Sequence, residues 1–298
     1  MFLWQRLTEI YSVGEAKAIV QLLLEDCFGI SMADYLCGKV EDMVQCECDR
    51  LEGMMKRLEQ GEPIQYVVGS ATFCGRSFHV EPGVLIPRPE TEELIALVKE
   101  TLSSSLNSHA STLHAQRSTF NVPRTTYLDI GTGSGCIAIT LALDMPNADV
   151  EAWDISEQAL SIAESNAKAL GANVRFVKQD ILAPQRSTFS VPHLTSYDVI
   201  VSNPPYICQK EQSDMERNVL GYEPDIALFV PDDDPLRFYT AIAHYAVAAL
   251  RDGGWLFFEI NPLYAQDIVT LLNSRGFMET ELRTDKFGKK RMIRTRKP

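Results

Sequence analysis

The sequence predicts an α/β protein whose sheet is mostly parallel, preceded by a small bundle of helices. From residue 127 onward, short apolar segments alternate with longer segments of helical periodicity. This alternation is typical of a parallel sheet that helices cover on both faces. In the first 60 residues, apolar residues recur only at helical spacing. With 298 residues, the chain is long enough for one large domain or two ordinary ones.

The N-terminal region carries two apolar stripes with the spacing of amphipathic helices. The first stripe consists of Ala16, Ile19, Val20, Leu23, Leu24 and Cys27, and the second of Leu51, Met54, Met55 and Leu58. Gly61 and Pro63 then stop the second helix, because neither residue favours a helix interior. We therefore expect a helical domain over residues 1–62.

A β-hairpin connector is predicted over residues 63–85. Residues 66–69 form a short apolar segment that suggests extended chain. Phe73 and Phe78 flank a turn that contains Gly75, which is the pattern of a hairpin.

The remaining chain, residues 86–298, is expected to form the α/β domain. The predicted strands cover residues 126–130, 149–153, 174–178, 197–202 and 254–260, and the predicted helices cover residues 135–144, 156–170, 235–251 and 263–275. Two further short segments, at 280–283 and 291–294, flank a turn, and this strand–turn–strand pattern predicts an antiparallel edge. Residues 103–125 are rich in Ser and Thr without any period, so we expect a flexible insertion there. Residues 116–123 recur almost unchanged at 185–192, both at expected loops.

Composition restricts the partners of this protein. Lys and Arg total 28 against 40 for Asp and Glu, a net charge of −12, whereas a broad nucleic-acid interface needs a basic surface. No apolar run reaches the roughly 18 residues of a membrane helix. The seven cysteines are scattered, and the close pair Cys46 and Cys48 has no second pair or nearby histidine. We expect free thiols in a reducing cytoplasm, no metal site, no membrane contact and no direct nucleic-acid partner.

A glycine-rich turn follows the first predicted strand of the α/β domain. Its spacing is G-x-G-x-G, so it departs from the dinucleotide fingerprint, which would require glycine at Cys136. Asp129 precedes the turn, and a negative charge there disfavours a diphosphate but suits a ligand with an ammonium and a sulfonium group. The turn therefore favours S-adenosyl-L-methionine over NAD. The predicted contacts here are Asp129, Gly131, Thr132, Gly133, Ser134 and Gly135.

Two more acids end the next two strands. Asp154 is placed to accept hydrogen bonds from both ribose hydroxyls of a nucleoside. Asp180 can accept from the adenine amino group while Ile181 packs on the ring, and Ile155 belongs to the same predicted site. Because the ends of parallel strands meet at one edge of the sheet, three acids in these positions point to one cofactor site.

The strongest motif follows the fourth strand and reads Asn203, Pro204, Pro205 and Tyr206. The prolines fix the backbone and remove two donors, which leaves carbonyl groups free to face a ligand. The Asn203 side-chain oxygen and the Pro204 carbonyl can each accept one N–H of a planar NH2 group, and Tyr206 can form a flat wall. We expect Asn203, Pro204 and Tyr206 to carry the catalytic chemistry, with Pro205 also at the substrate and Asn203 also in contact with the cofactor.

The motifs together resemble the HemK/PrmC family of glutamine N5-methyltransferases. The resemblance covers nearly the whole chain and includes residues 61–66, 84–92, 129–135, 154–156, 203–207 and 222–228. It implies a class I (Rossmann-like) methyltransferase fold that uses S-adenosyl-L-methionine and releases S-adenosyl-L-homocysteine. The implied acceptor is the glutamine of the Gly-Gly-Gln loop of class-one peptide-chain release factors, which the N-terminal helices bind. Arg88 and Glu90 are expected to contact this substrate.

Three alternatives remain open at this point. A glutamine methyltransferase for a ribosomal protein would share the fold and the Asn-Pro-Pro-Tyr motif. A nucleic-acid amino-methyltransferase would use the same turn for a planar exocyclic amine, against which the net charge argues. The third alternative is a cofactor-binding scaffold without catalysis. The chain also has Asn261 where the family usually carries glycine.

Overall fold

The computed structural model describes residues 2–110, 124–183, 196–215 and 217–298. The helices are α1 (Val13–Phe28), α2 (Met32–Leu36), α3 (Gln45–Glu59), α4 (Ile64–Val68), α5 (Pro89–Ala110), α6 (Cys136–Asp144), α7 (Glu157–Leu170), α8 (Arg217–Leu220), α9 (Asp225–Leu228), α10 (Arg237–Ala249) and α11 (Ala265–Ser274). The strands are β1 (Ser70–Phe73), β2 (Arg76–His79), β3 (Thr125–Ile130), β4 (Ala148–Asp154), β5 (Val174–Lys178), β6 (Tyr197–Ser202), β7 (Ile207–Cys208), β8 (Phe229–Val230), β9 (Leu250–Glu259), β10 (Met278–Thr284) and β11 (Lys290–Arg296).

The large sheet has seven strands in the order β10-β11-β9-β6-β3-β4-β5. The five strands from β9 to β5 are parallel to their neighbours, and β11 pairs antiparallel with both β9 and β10. The predicted α/β class, mostly parallel sheet and antiparallel end are therefore confirmed. Strands β4 and β5 lie on one side of β3, and the chain then crosses back so that β6 and β9 lie on the other side. The carboxyl ends of β3 and β6 thus flank the position where such sheets bind ligands.

Side chains on neighbouring positions of the central strands pack into different cores. Leu128 of β3 belongs to the cluster beneath α10 and α11, whereas the adjacent Tyr127 belongs to the cluster beneath α5 and α6. In β6, Ile200 and Val201 divide in the same way. Because successive strand residues point to opposite faces, the near-continuous apolar strands are explained by a sheet buried on both sides.

The N-terminal helices pack around a core of their own. Both predicted stripes contribute to it, with Leu23, Leu24, Met55 and Leu58 fully buried. Helix α1 begins after Ser12, whose hydroxyl accepts a hydrogen bond from the Glu15 amide at 3.3 Å.

The hairpin formed by β1 and β2 agrees with the prediction. Its two-residue turn places Cys74 at φ 48° and Gly75 at φ 72°, the left-handed conformations that a tight hairpin turn needs. Phe73 and Phe78 meet edge to face with ring centroids 6.0 Å apart and are fully buried beside α5.

Several segments differ from the sequence predictions, among them residues 250–251, which begin strand β9 instead of ending a helix. Residues 66–68 belong to helix α4 and are not extended, because Pro63 starts a single helical turn that Gly69 ends at φ 78°. Residues 103–110 continue helix α5, although the sequence predicted a flexible insertion from residue 103. The rest of that predicted insertion up to residue 123, and both repeated segments, lie outside the described residues.

Candidate active site

Polar side chains collect at the carboxyl edge of the parallel sheet. Asp154 ends β4, Asp180 follows β5, Asn203 follows β6 and Glu259 ends β9. Helices and loops after these strands enclose two cavities on this edge. The sheet topology therefore brings together residues that are far apart in sequence.

The turn after β3 leaves open space beside its backbone. Gly131 has φ 78° and Gly133 has φ 55°, and a Cβ added to either residue would meet no atom within 4 Å. Gly135 is different, because a Cβ there would lie 2.8 Å from Ile139 Cδ1 and 3.0 Å from Ala163 Cβ. The first two glycines thus shape a surface that a ligand can approach, and the third permits close packing of α6 on α7.

Asp129 lies beneath this turn. It is fully buried, and its Oδ2 accepts a hydrogen bond from Thr132 Oγ1 at 2.6 Å. Burial raises the pKa of the Asp129 carboxyl to about 7 because a low-dielectric environment disfavours its charge. Asp129 therefore stabilises the turn through its hydrogen bond with Thr132 and does not line either cavity.

The first cavity has a volume of about 310 Å³ and lies above the glycine turn. Of the predicted cofactor contacts, those that line it are Gly131, Gly133, Asp154, Ile155, Asp180, Ile181 and Asn203. Asp129, Thr132, Ser134 and Gly135 do not. The predicted cofactor residues thus divide into a lining set and a set that supports the turn.

The carboxylates in this cavity are fixed by backbone amides. Asp154 Oδ2 accepts from the Gly133 amide and Oδ1 from the Ser156 amide, both at 2.9 Å. Asp180 Oδ1 accepts from the Leu182 amide at 2.8 Å. Burial raises the pKa of Asp154, although these amide donors oppose the shift. Each carboxylate oxygen keeps a further lone pair for a ligand hydroxyl or amine.

The second cavity, of about 320 Å³, lies on the other side of the Asn203–Pro204 turn. Its charged and aromatic lining consists of Arg88, Glu90, Tyr206, Glu259 and Arg291. Asn203 and Pro204 line both cavities, so this turn forms a shared wall between them. Pro205 lines only the first cavity.

Comparison with known proteins identifies the family. The profile of the "PrmC N-terminal domain" matches residues 4–69, and that of the "Methyltransferase small domain" matches residues 109–220. A release factor glutamine methyltransferase of Bacteroides thetaiotaomicron is 45% identical over 98% of this chain and 96% of its own length. One of Flavobacterium psychrophilum is 36% identical over 97% of this chain and 95% of its own length. This chain belongs to the release factor glutamine methyltransferase family.

The fold agrees with this assignment. The T. thermophilus 16S rRNA N2 G1207 methyltransferase, solved in complex with AdoMet and guanosine, aligns with a TM-score of 0.50 and 20% identity. The alignment covers 77% of this chain and 50% of that one, and it shows a shared methyltransferase fold. Among the described residues, no cluster of His, Cys, Asp and Glu could hold a metal ion, and no helix is long and apolar enough to cross a membrane.

A buried hydrogen-bond network lies behind the family's Asn-Pro-Pro-Tyr motif. Asn203 Nδ2 donates to Thr91 Oγ1 at 3.2 Å, and Thr91 Oγ1 donates to Glu259 Oε2 at 2.6 Å. The Tyr206 hydroxyl donates to Glu259 Oε1 at 3.1 Å and accepts from Arg291 at 3.4 Å. Burial raises the pKa of Glu259 and of Tyr206.

Sequence reasoning did not single out Thr91 or Glu259 as site residues. Glu259 could have been predicted as a site residue, because it ends an apolar strand at the same edge of the sheet as the predicted acids. Thr91 lies within the stretch 84–92 that carries the family resemblance but had no local signal of its own. Its partner is 168 positions away, so only the fold brings the two residues together.

Asn261, at a position where the resemblance leads us to expect glycine, contacts the same motif. Its Nδ2 donates to the Tyr206 carbonyl and to Glu211 Oε1, both at 3.0 Å, and the residue is buried. Asn261 therefore fixes the far end of the Asn-Pro-Pro-Tyr turn with a side chain that glycine lacks.

Proposed function

We propose that this protein transfers the methyl group of S-adenosyl-L-methionine to the side-chain amide nitrogen (N5) of a glutamine. The acceptor would be the glutamine of the Gly-Gly-Gln loop of class-one peptide-chain release factors. Family membership supports this proposal, and the observation that carries it is the wall that Asn203 and Pro204 form between two cavities. One cavity would hold the methyl donor, and the other would admit the acceptor side chain.

The residues of the first cavity fit the proposed cofactor. The carboxylate of Asp154 suits a ribose diol, and Asp180 with Ile181 suits an adenine ring and its amino group. The open backbone at Gly131 and Gly133 would accommodate the amino-acid part of the ligand. When bound, the cofactor supplies a methyl carbon made electrophilic by a positive sulfur, and S-adenosyl-L-homocysteine is the product.

Asn203 and Pro204 would make an unreactive amide nucleophilic. Amide nitrogen is a poor nucleophile because its lone pair is delocalised, and this resonance opposes rotation by ~18–20 kcal/mol. The Asn203 Oδ1 atom and the Pro204 carbonyl would each accept one N–H of the acceptor. These bonds strengthen as the nitrogen becomes tetrahedral, so they stabilise the transition state more than the ground state. They also direct the nitrogen toward the methyl group.

The acceptor side of the reaction needs no strong base. As the N–C bond forms, the C–S bond breaks, and the methylated nitrogen becomes acidic enough to release a proton to water. Tyr206 would form one wall for the amide, and the face of its ring suits the positive charge on the sulfur of the cofactor. Arg88 and Glu90 line the same cavity and would contact the loop that carries the glutamine.

The N-terminal helices would recognise the release factor. We assign residues 1–62 to a recognition domain, residues 63–85 to a connector and residues 86–298 to the methyltransferase domain. Two hydrogen bonds join these parts: Arg57 donates to the Tyr66 carbonyl at 3.1 Å, and the Tyr222 hydroxyl donates to the Gln60 carbonyl at 3.0 Å. Such an enzyme would work in the cytoplasm, where translation ends.

The test is transfer of a labelled methyl group from S-adenosyl-L-methionine to separate purified acceptors. We expect label in a class-one release factor and none in ribosomal protein or nucleic acid. A release factor with Ala in place of the loop glutamine is the matched acceptor control and should stay unlabelled. Label in ribosomal protein or nucleic acid, with none in the release factor, would overturn the proposal.

A further inference from the structure

The Asn203 side chain can serve the proposed reaction in only one of its two amide orientations. Its planar amide carries an acceptor, Oδ1, and a donor, Nδ2, of nearly equal size. An acceptor nitrogen with two N–H groups needs Oδ1, and Nδ2 in that place would repel it. Packing alone distinguishes the two orientations poorly, so hydrogen-bond partners must select one of them.

The network behind Asn203 provides that selection. Burial disfavours the charged form of Glu259, whereas the hydrogen bonds from Thr91 and Tyr206 and the positive charge of Arg291 favour it. As a carboxylate, Glu259 can only accept hydrogen bonds, and it takes one from Thr91 and one from Tyr206. Thr91 and Glu259 are 3% and 2% exposed, so little water reaches the hydrogen bond between them. The direction of each bond is therefore set by the carboxylate.

Thr91 transmits this direction to Asn203. Its hydroxyl has one proton, which it donates to Glu259 at 2.6 Å, so toward Asn203 its oxygen can only accept. Asn203 must then turn Nδ2 toward Thr91, where the distance is 3.2 Å. The Oδ1 atom of Asn203 is thereby left for the acceptor.

We propose that Thr91 and Glu259 are positioning residues that hold Asn203 with Oδ1 toward the acceptor, and that this orientation selects an amide nitrogen over a carboxylate. The inference rests on the proposed function and adds residues that act through Asn203. A glutamate in the acceptor position would bring an oxygen without a proton against Oδ1 and would be excluded by repulsion.

The decisive variants are Thr91→Val, which removes the hydroxyl at nearly constant volume, and Thr91→Ser, which keeps it. We expect Thr91→Val to lower kcat about ten-fold, as expected for one lost hydrogen bond of about 1.4 kcal/mol. Thr91→Ser should remain close to wild type. The dissociation constant for S-adenosyl-L-methionine, measured by calorimetry, should be equal in all three proteins because Thr91 lies outside the first cavity.

A second readout separates orientation from general support of the fold. Release factors with Gln or Glu at the loop position are compared for binding to each enzyme. Wild type and Thr91→Ser should prefer Gln, and Thr91→Val should lose much of that preference because Asn203 can then turn Nδ2 outward. A generally loosened site would weaken both ligands alike. If Thr91→Val does not fold, Thr91→Ala removes the same hydroxyl without adding a methyl group and is measured instead.

The outcomes distinguish this inference from the proposed function. If wild type methylates the release factor but the valine variant matches it in kcat and in Gln preference, the inference fails and the function stands. If wild type does not methylate the release factor, both fail. Reduced kcat with a reduced Gln preference in the valine variant, and neither in the serine variant, supports the inference.

Discussion

Arg88 forms an ion pair with Glu223, although the two residues are 135 positions apart. The Glu223 side chain is only 1% exposed, and its other oxygen accepts from the Ile86 amide at 3.1 Å. This pair ties the segment before α5 to the segment before α9 beside the second cavity, which Arg88 lines. Arg88, which the sequence marked as a substrate contact, therefore also supports the cavity wall.

Replacing Arg88 and replacing Glu223 should lower the free energy of unfolding by different amounts. Arg88→Met leaves a buried carboxylate with one amide donor, whereas Glu223→Gln leaves a guanidinium whose side chain is 33% exposed and can reach water. We expect Arg88→Met to lower the free energy of unfolding by about 2 kcal/mol and Glu223→Gln by about 1 kcal/mol or less. Urea denaturation of both variants and of the double variant measures this. Equal losses, or strict additivity in the double variant, would contradict the pairing.

The buried carboxyl of Asp129 should make stability depend on pH. Its pKa is about 7 in the folded protein against 3.8 for an ordinary Asp, so the folded state binds the proton more tightly than the unfolded state. The contribution of this group to stability is therefore full below pH 4 and decreases as the pH rises to about 7, by on the order of a few kcal/mol.

Asp129→Asn should remove that pH dependence, because the amide is neutral and can still accept from Thr132. Denaturation curves of the cofactor-free protein at pH 5.5 and pH 8 are the measurement. We expect the variant to gain stability relative to wild type as the pH rises. An identical pH dependence in both proteins would show that Asp129 is ionised throughout.

The third glycine of the turn is predicted to be structural. Gly135→Ala combines a left-handed backbone at φ 83° with contacts of 2.8 Å and 3.0 Å, so we expect a loss of about 2–4 kcal/mol in unfolding free energy. Gly171→Ala is the control, because Gly171 has φ 73° but no atom within 4 Å of the added Cβ. It should lose only about 1–2 kcal/mol. Thermal melting compares the two, and equal losses would remove the packing argument.

Asp154 is expected to bind the cofactor directly. Asp154→Asn removes the charge and leaves one oxygen to serve the Gly133 and Ser156 amides together with the ligand, so the affinity for S-adenosyl-L-methionine should fall at least about ten-fold. Glu157→Gln is the control, since that side chain is 76% exposed beside the same strand end. Calorimetry gives both dissociation constants. No change in the Asp154→Asn variant would place the ribose elsewhere.

Much of the sheet could be predicted because its signals are local. The sequence predicts strands β5 and β6 at their observed bounds, residues 174–178 and 197–202, since each is rich in β-branched and aromatic residues and ends at a polar residue. Helix α4 was missed because it is a single turn, too short to show a period, and its Val67 and Val68 suggest a strand.

The candidate site was predictable only in part, for a similar reason. Acids at strand ends can be read from sequence, and Asp154 and Asp180 do line the first cavity. The sequence could not show that Asp129 points beneath its turn. Nor could it pair Thr91 with Glu259, because nothing local to either residue indicates a partner 168 positions away.

The most direct test of the central claim is tandem mass spectrometry of a release factor treated with wild type or with Asn203→Ala, both supplied with S-adenosyl-L-methionine. Wild type should add one methyl group to the side-chain nitrogen of the Gly-Gly-Gln glutamine. Asn203→Ala should add none at that position while its cofactor affinity falls far less. A methyl group on any other residue, or equal glutamine methylation by the variant, would contradict the assignment of Asn203 to the acceptor amide.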